Sequence, residues 1–166
     1  MAAVTLEPWG SDDLPLLERL MGDPHMTEHL GGPESPDKLR ERQARYERLE
    51  GGDRMFRIVD TASGTDVGSV GFWTSGEPGE QIYEVGWMVL PEFQGRGIAA
   101  AATAQAIELA RTDDKHRFMH AFPNVENGPS NAICRKLGFE LLGPCEFEFP
   151  KGHLMTCHDW RLDLRA

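Results

Sequence analysis

Gln94-Gly95-Arg96-Gly97-Ile98-Ala99 opens an alanine-rich stretch that continues to Arg111. A helix start carries unpaired N–H groups and the positive end of its dipole, so it attracts an anion wherever nothing bulky bars approach. Gly95 and Gly97 remove Cβ atoms from that place and Arg96 adds a fixed positive charge, a combination suited to a pyrophosphate. Serine or aspartate would cap the helix better, so the glycines call for either a ligand or a backbone at positive φ. A P-loop is excluded, because no Gly-Lys-Ser/Thr occurs. The loose G-x-G-x-x-A form of the dinucleotide fingerprint is met, but that fingerprint follows directly on the first strand of alternating βαβ units and is answered by an acidic residue on the next strand. Here Pro91-Glu92-Phe93-Gln94 separates the glycines from the strand before them, and "MHAFPNVEN" offers only Glu126, beyond a proline.

The elements that must hold this segment are legible from periodicity. Residues 3–9 alternate loosely as a first strand, and Ser11-Asp12-Asp13 opens a helix carrying Leu14, Leu16, Leu17 and Leu20 that ends near Gly22-Asp23-Pro24. Ser35-Pro36 starts a second helix with Leu39, Gln43, Tyr46 and Leu49 at helical spacing, its charge run reading as a solvated face. From Asp53 the period is that of strands: "RMFRIVD", "DVGSVGFWT" and "QIYEVGWMVL" are three consecutive antiparallel strands joined by "TASGT" and "SGEPGE". After the glycine segment and its helix come a strand "HRFMHAFP", a short helix "GPSNAICRKLGF" and two strands around "LLGPCEFEF" and "LMTCHDWRL". This order predicts a mixed α/β (α+β) sheet rather than a doubly wound one.

The 166 residues, 40% of them apolar, are the size of one domain, here 1–166. "AAVTLEPW" has neither the basic nor the apolar region of an export signal, and residues 97–110 are interrupted by Gln105 and Glu108, so a soluble cytoplasmic protein with no membrane partner is expected. Cys134, Cys145 and Cys157 have no paired spacing, and with His153 and His158 they form no recognisable metal pattern, so no metal is expected. A net charge of −10 repels phosphate backbones and argues against nucleic acid, while it favours a cationic partner such as an amine.

Gln94, Gly97 and Ala99 meet the Q/R-x-x-G-x-G/A pattern, and "ENGPSNAICRKLGFELLG" (126–143) follows E-N-x-x-S-x-x-x-x-x-K-L-G-F. The first resembles motif A of the GCN5-related N-acetyltransferase (GNAT) superfamily, and the second is similar to the signature of its RimJ/RimL-like branch. "YEVGWMVLPEFQGRG" looks like that branch's fourth strand and following turn. The resemblance implies a central, mostly antiparallel sheet whose parallel fourth and fifth strands splay apart. Acetyl-CoA would lie in the V between them, with its pyrophosphate on the N–H groups from about Gln94 to Ala99, through Gly95, Arg96, Gly97 and Ile98. The backbone of Met88, Val89 and Leu90 would pair with the pantetheine arm, Val89 N–H would receive the thioester oxyanion, and Asn127 would touch the pantetheine amides. Asn127 as the cap of its helix is the equal alternative.

Acetyl transfer to an amine needs the amine neutral. A lysine-like amine lacks about 4.6 kcal/mol at pH 7 and an α-amine only about 1.4 kcal/mol. Glu84 is the candidate general base: on an unbulged strand it shares a face with Gly86 and Met88, and the glycine would leave room for substrate. Many superfamily members place a tyrosine acid where this chain has Cys134, which reads better as a small buried residue. In the RimJ/RimL-like pattern Ser130 is the alternative catalytic and pantetheine-contacting residue. His120 shares a face with Phe118 and Phe122 and reads first as a packed core histidine, second as lining the cleft. Trp73, Trp87 and Trp160 read as core or cleft-wall aromatics. The expected activity is acetyl-CoA-dependent N-acetyltransfer by direct attack in a ternary complex, with the α-amine of a protein or peptide preferred. An antibiotic, polyamine or amino acid is the rival acceptor, and a silent acyl-CoA-binding module the rival class. Oligomeric state, monomer or homodimer, is left open.

Overall fold

The computed structural model describes residues 2–166. The elements follow the expected order: β1 (Val4–Pro8), α1 (Leu14–Met21), α2 (Pro36–Glu47), β2 (Arg54–Asp60), β3 (Asp66–Ser75), β4 (Ile82–Val89), α3 (Ile98–Asp113), β5 (Phe118–Ala121), α4 (Gly128–Lys136), β6 (Glu140–Glu148) and β7 (Leu154–Asp163). They build one seven-stranded sheet in the order β1-β2-β3-β4-β5-β7-β6. The first four strands are an antiparallel meander, and β4 and β5 are parallel.

Strand alternation sends Tyr83, Val85 and Val89 of β4, Met119 and Ala121 of β5, and Trp160 of β7 into a core covered by α3. Helix α3 presents the fully buried Ala102, Ala106 and Ala110 along one line, so small side chains let the helix lie close to the sheet. The other face receives Leu16, Leu17 and Leu20 of α1 and Leu39 of α2, together with Trp9 and Leu90. The Trp9 indole donates to Gln43 Oε1 at 2.8 Å, and Gln43 Nε2 donates to Gly10 O at 2.8 Å, tying α2 to the end of β1. Gln43, placed on the packed face by spacing alone, is therefore a buried polar tie.

β4 and β5 pair only at Tyr83↔Met119 and Glu84↔His120. Beyond that point β4 stays with β3, in unbroken register from Ser75↔Ile82 to Gly68↔Val89. The chain leaving β5 stays with β7 instead: Val125 N donates to Thr156 O at 3.1 Å and His158 N donates to Pro123 O at 2.9 Å. Asn131 of α4 anchors this departure. Its side-chain amide donates to Asn124 O (3.0 Å) and Asn127 O (2.8 Å), and its oxygen accepts from Trp160 Nε1 (2.9 Å) and lies 2.9 Å from His158 Nδ1.

Asn131 is 8% exposed and Trp160 3%, so Asn131→Ala strands a buried indole N–H and takes the side-chain donor from two carbonyls that keep their backbone donors. The expected loss is about 2–3 kcal/mol, read as a shift of the urea midpoint at constant slope. A change below about 0.5 kcal/mol would remove Asn131 as the anchor.

Candidate active site

The parting of β4 and β5 leaves main-chain groups without a ladder. Leu90 N donates to Val67 O at 2.9 Å, which by the alternation of an antiparallel pair sets Met88 and Leu90 toward β3 and Trp87 and Val89 toward the opening. The N–H and C=O of Val89 therefore point away from β3, and the carbonyl accepts from Gln94 Nε2 at 2.9 Å. This corrects the expectation for Met88 and Leu90: the Met88 main chain and the Leu90 N–H are consumed by β3, and the Leu90 carbonyl accepts from Phe93 N–H at 2.9 Å. Val89 keeps the expected direction. Trp87, whose main chain sequence reasoning passed over, joins it.

At the mouth of α3, Gly95 (φ +79°) and Gly97 (φ +77°) are left-handed, and Cβ atoms at either would meet open space. Both explanations of the glycines hold at once: the turn needs positive φ, and it faces outward. Helix α3 has no side-chain cap on Gly97. Gln94 N–H already donates to Pro91 O at 3.2 Å, so the row of free donors begins one residue later than expected. Among the described residues, the N–H groups of Gly95, Arg96, Gly97, Ile98, Ala99 and Ala100 meet no protein acceptor, and the first helical bond is Ala101 N to Gly97 O at 3.1 Å. Arg96 turns back over the Phe93 ring and donates to Glu92 O at 3.2 Å. Its charge stays at the rim of the turn.

Across the opening, Asn127 caps α4 by accepting the N–H of Ser130 at 3.2 Å. Its oxygen is thereby used, and its amide nitrogen is what remains for a ligand. Ser130 is half-buried in the first turn of α4, on the α3 side of the sheet. Cys134, one turn on, is fully buried in the core, and burial pushes its thiol up to about 12, as for a small packed residue.

Glu84 stands on the opposite face, where the sequence placed it, because no bulge interrupts the pairing of β4 with β3. Burial raises its pKa above the usual carboxylate range, against a smaller opposing effect from a hydrogen bond with Ser75. The space above Gly86 is not free, however. A Cβ there would lie 3.1 Å from the edge of the Trp73 indole, so the glycine admits the Trp73 ring rather than substrate. Beside Glu84, His120 Nδ1 lies 2.6 Å from Asp159 Oδ1, and the imidazole stacks on Phe122, which stacks on Phe147. His120 thus sits in a polar pair among aromatics, not in the core. The wall beyond is closed by Arg42, bidentate to Glu34 at 2.7 and 2.6 Å and lying 5.7 Å from the centre of the Phe149 ring, which holds the tip of the β6–β7 hairpin against α2. Among the described residues no cluster of three or more His, Cys, Asp or Glu can hold a metal ion, and no helix is long and apolar enough to cross a membrane.

Residues 3–140 match the family model described as an acetyltransferase (GNAT) domain. The chain belongs to that family. An uncharacterised N-acetyltransferase of Bacillus subtilis, YnaD, is 33% identical over 76 residues, a segment spanning 45% of this chain and 44% of that protein. Thus the match reaches less than half the length of the curated relative. The fold is similar to spermidine N-acetyltransferase from Vibrio cholerae in complex with CoA and spermine, at a TM-score of 0.81 and 20% identity over 98% of this chain and 96% of that one. It is also similar to an acetyltransferase from Salmonella typhimurium that modifies the N-terminal serine of ribosomal protein L7/L12, at 0.76 and 17% identity over 98% and 96% of the two chains. The GNAT family accounts for the parted parallel strands, which no alternating βαβ fold requires.

Because burial raises the folded pKa of Glu84 above its unfolded value, the folded chain holds this proton more tightly. Its contribution to stability is present below the unfolded pKa and lost as pH rises through the folded one. Glu84→Gln abolishes that loss and keeps an acceptor for Ser75. The variant is expected to melt above the wild type near pH 7.5, with the gap closing toward pH 4. A variant that is no more stable at the higher pH would mean that Glu84 carries no such burden.

Proposed function

We propose that the chain is an acetyl-CoA-dependent N-acetyltransferase acting on a primary amine by direct attack in a ternary complex. The observation that carries the reading is the run of unpartnered N–H groups from Gly95 to Ala100, facing open space at the positive end of α3. These donors fit a pyrophosphate, and the outward-facing main chain of Trp87 and Val89 fits the amides of a pantetheine arm. Val89 N–H is the oxyanion donor, and it owes its availability to the lost partner strand. Asn127 contributes its amide nitrogen, and Ser130 is the hydroxyl nearest in sequence to the α4 turn that can serve the departing thiolate.

Glu84 accepts a proton from the attacking amine. Its burial raises its proton affinity, bringing it closer to that of the amine it must serve. A half-buried carboxylate kept at a cost in stability speaks for an enzyme over a silent acyl-CoA-binding module. The acceptor we prefer is the α-amine of a protein or peptide, in line with the RimJ/RimL-like signature at 126–143 and the smaller cost of neutralising an α-amine. A polyamine is the second reading. The −10 charge of the chain and the likeness to the Vibrio spermidine enzyme favour it.

Calorimetric titration with acetyl-CoA tests the cofactor, with NADH as control. Micromolar binding with NADH inert is expected, and Gly97→Glu should weaken it at least 100-fold by placing a carboxylate beside the phosphates. Gly97→Ala separates out the strain of a left-handed φ, which by itself costs about 1–2 kcal/mol of fold stability. Unchanged acetyl-CoA affinity in Gly97→Glu would overturn the assignment of the turn. Glu84→Gln should lower kcat about 100-fold at neutral pH with acetyl-CoA affinity within about twofold; unaltered turnover from pH 6 to 9 would remove Glu84 from the mechanism.

A further inference from the structure

Amide formation from an ammonium must strip two protons from one nitrogen, the first to make it a nucleophile and the second after it has added to the thioester. Only one of them is returned, to the departing thiolate. A single carboxylate would have to discharge between the two transfers. The structure offers a second acceptor beside the first. His120 is the direct neighbour of Glu84 across the last rung of the parallel pair, on the same face, at the point where the strands part. Its Nδ1 is held 2.6 Å from Asp159 Oδ1, which leaves Nε2 as the basic nitrogen. Among the described residues Nε2 meets no protein partner. The ring is fixed by stacking on Phe122 at 5.7 Å, and Phe122 by Phe147 at 5.1 Å. A histidine serving only to fasten β5 to β7 would need the Asp159 bond alone.

We propose that His120, oriented by Asp159, is a second proton acceptor of the transfer, working in tandem with Glu84. This rests on the acetyltransferase reading above. Nε2 takes the first proton from the acceptor ammonium, and the freed lone pair forms the C–N bond to the acetyl carbonyl carbon. Glu84 takes the second proton as the C–S bond breaks with its electron pair leaving on sulfur. One stored proton returns to the thiolate and the other leaves to solvent, so charge and atoms balance. Asp159 is a positioning residue that holds the Nδ1–H tautomer and balances the imidazolium. The other charged or titratable groups on the strands around the imidazole are Glu84 from β4, Arg161 and Cys157 from β7, and Cys145 from β6. Arg161 is diverted onto the Phe118 ring at 4.8 Å and toward Glu140 at 3.5 Å, and burial raises both thiols.

The test is thiol release from acetyl-CoA by the full chain, with a serine-starting pentapeptide and spermidine as acceptor probes, from pH 6 to 9. His120→Gln and Asp159→Asn are each expected to lower kcat at least tenfold, with acetyl-CoA affinity by calorimetry within about twofold. The rising limb of the kcat profile should move to higher pH in His120→Gln, where the amine must lose its proton unaided, and to lower pH in Asp159→Asn, where the imidazolium loses its balancing charge; Asp159→Glu should recover part of the loss, and Glu84→Gln/His120→Gln should fall below either single variant. A purely structural pair would instead lower the melting temperature and acetyl-CoA affinity together, without moving the pH limb; that result overturns the proposal. So does kcat within twofold of wild type in both His120→Gln and Asp159→Asn. Wild type that neither binds acetyl-CoA nor releases thiol with either probe would overturn the acetyltransferase reading, and the dyad with it.

Discussion

Everything at this site follows from two strands that begin as a parallel pair and then keep different company. Past Glu84 and His120, β4 remains bonded to β3 while the chain beyond β5 remains bonded to β7. A main-chain polar group inside a protein must be satisfied, so the outward-facing groups of Trp87 and Val89 stand as an unfinished ladder. The extended arm of a ligand can complete it as another strand would. The Gln94 amide closes only the Val89 carbonyl, which leaves its N–H as the donor at the centre of the opening.

The same economy governs α3. Its first turn is left without a side-chain cap, and two residues are held at positive φ to turn its N–H groups outward. That arrangement gives up the roughly 1 kcal/mol that a serine or aspartate cap would return. The alanine stripe at 102, 106 and 110 packs the helix body against the sheet and so fixes where its N-terminus lies. Opposite, Asn131 ties the loop after β5 to β7 through four polar contacts. Opening, glycine turn and α4 are thus one mechanical unit, built largely of backbone. Tight side-chain chemistry is confined to the other face, around Glu84, His120 and Asp159.

Much of this was legible in the residues. Turn glycines, strand alternation and alanine spacing are local signals, and they mark the element order, the strand face of Glu84 and the uncapped, outward-facing helix start at residues 95–99. The errors share one cause. Family resemblance assigns the backbone of Met88 and Leu90 to a ligand, and the structure turns it elsewhere, because a strand's hydrogen-bonding direction depends on its register with a neighbour and register has no one-dimensional mark. The room imagined above Gly86 belongs to Trp73, a cross-strand neighbour. Asp159 escaped notice because only β7's insertion between β5 and β6 brings it to His120. Asn131 escaped for a similar reason: in a short polar helix, nothing marks one asparagine as buried.

The chain's periodicity and its two motifs were enough to establish a mixed sheet, a helix start suited to anions and membership of an acetyl-transferring family, because each is written in side-chain size and backbone sterics over a few neighbouring residues. Which N–H groups are free, which carboxylate shares a face with which imidazole, and what fills the space over a glycine were settled by strand order and register. Those are products of packing between segments as far apart as residues 84, 120 and 159, and free energy of that kind is summed over the whole sheet rather than carried by any stretch of sequence.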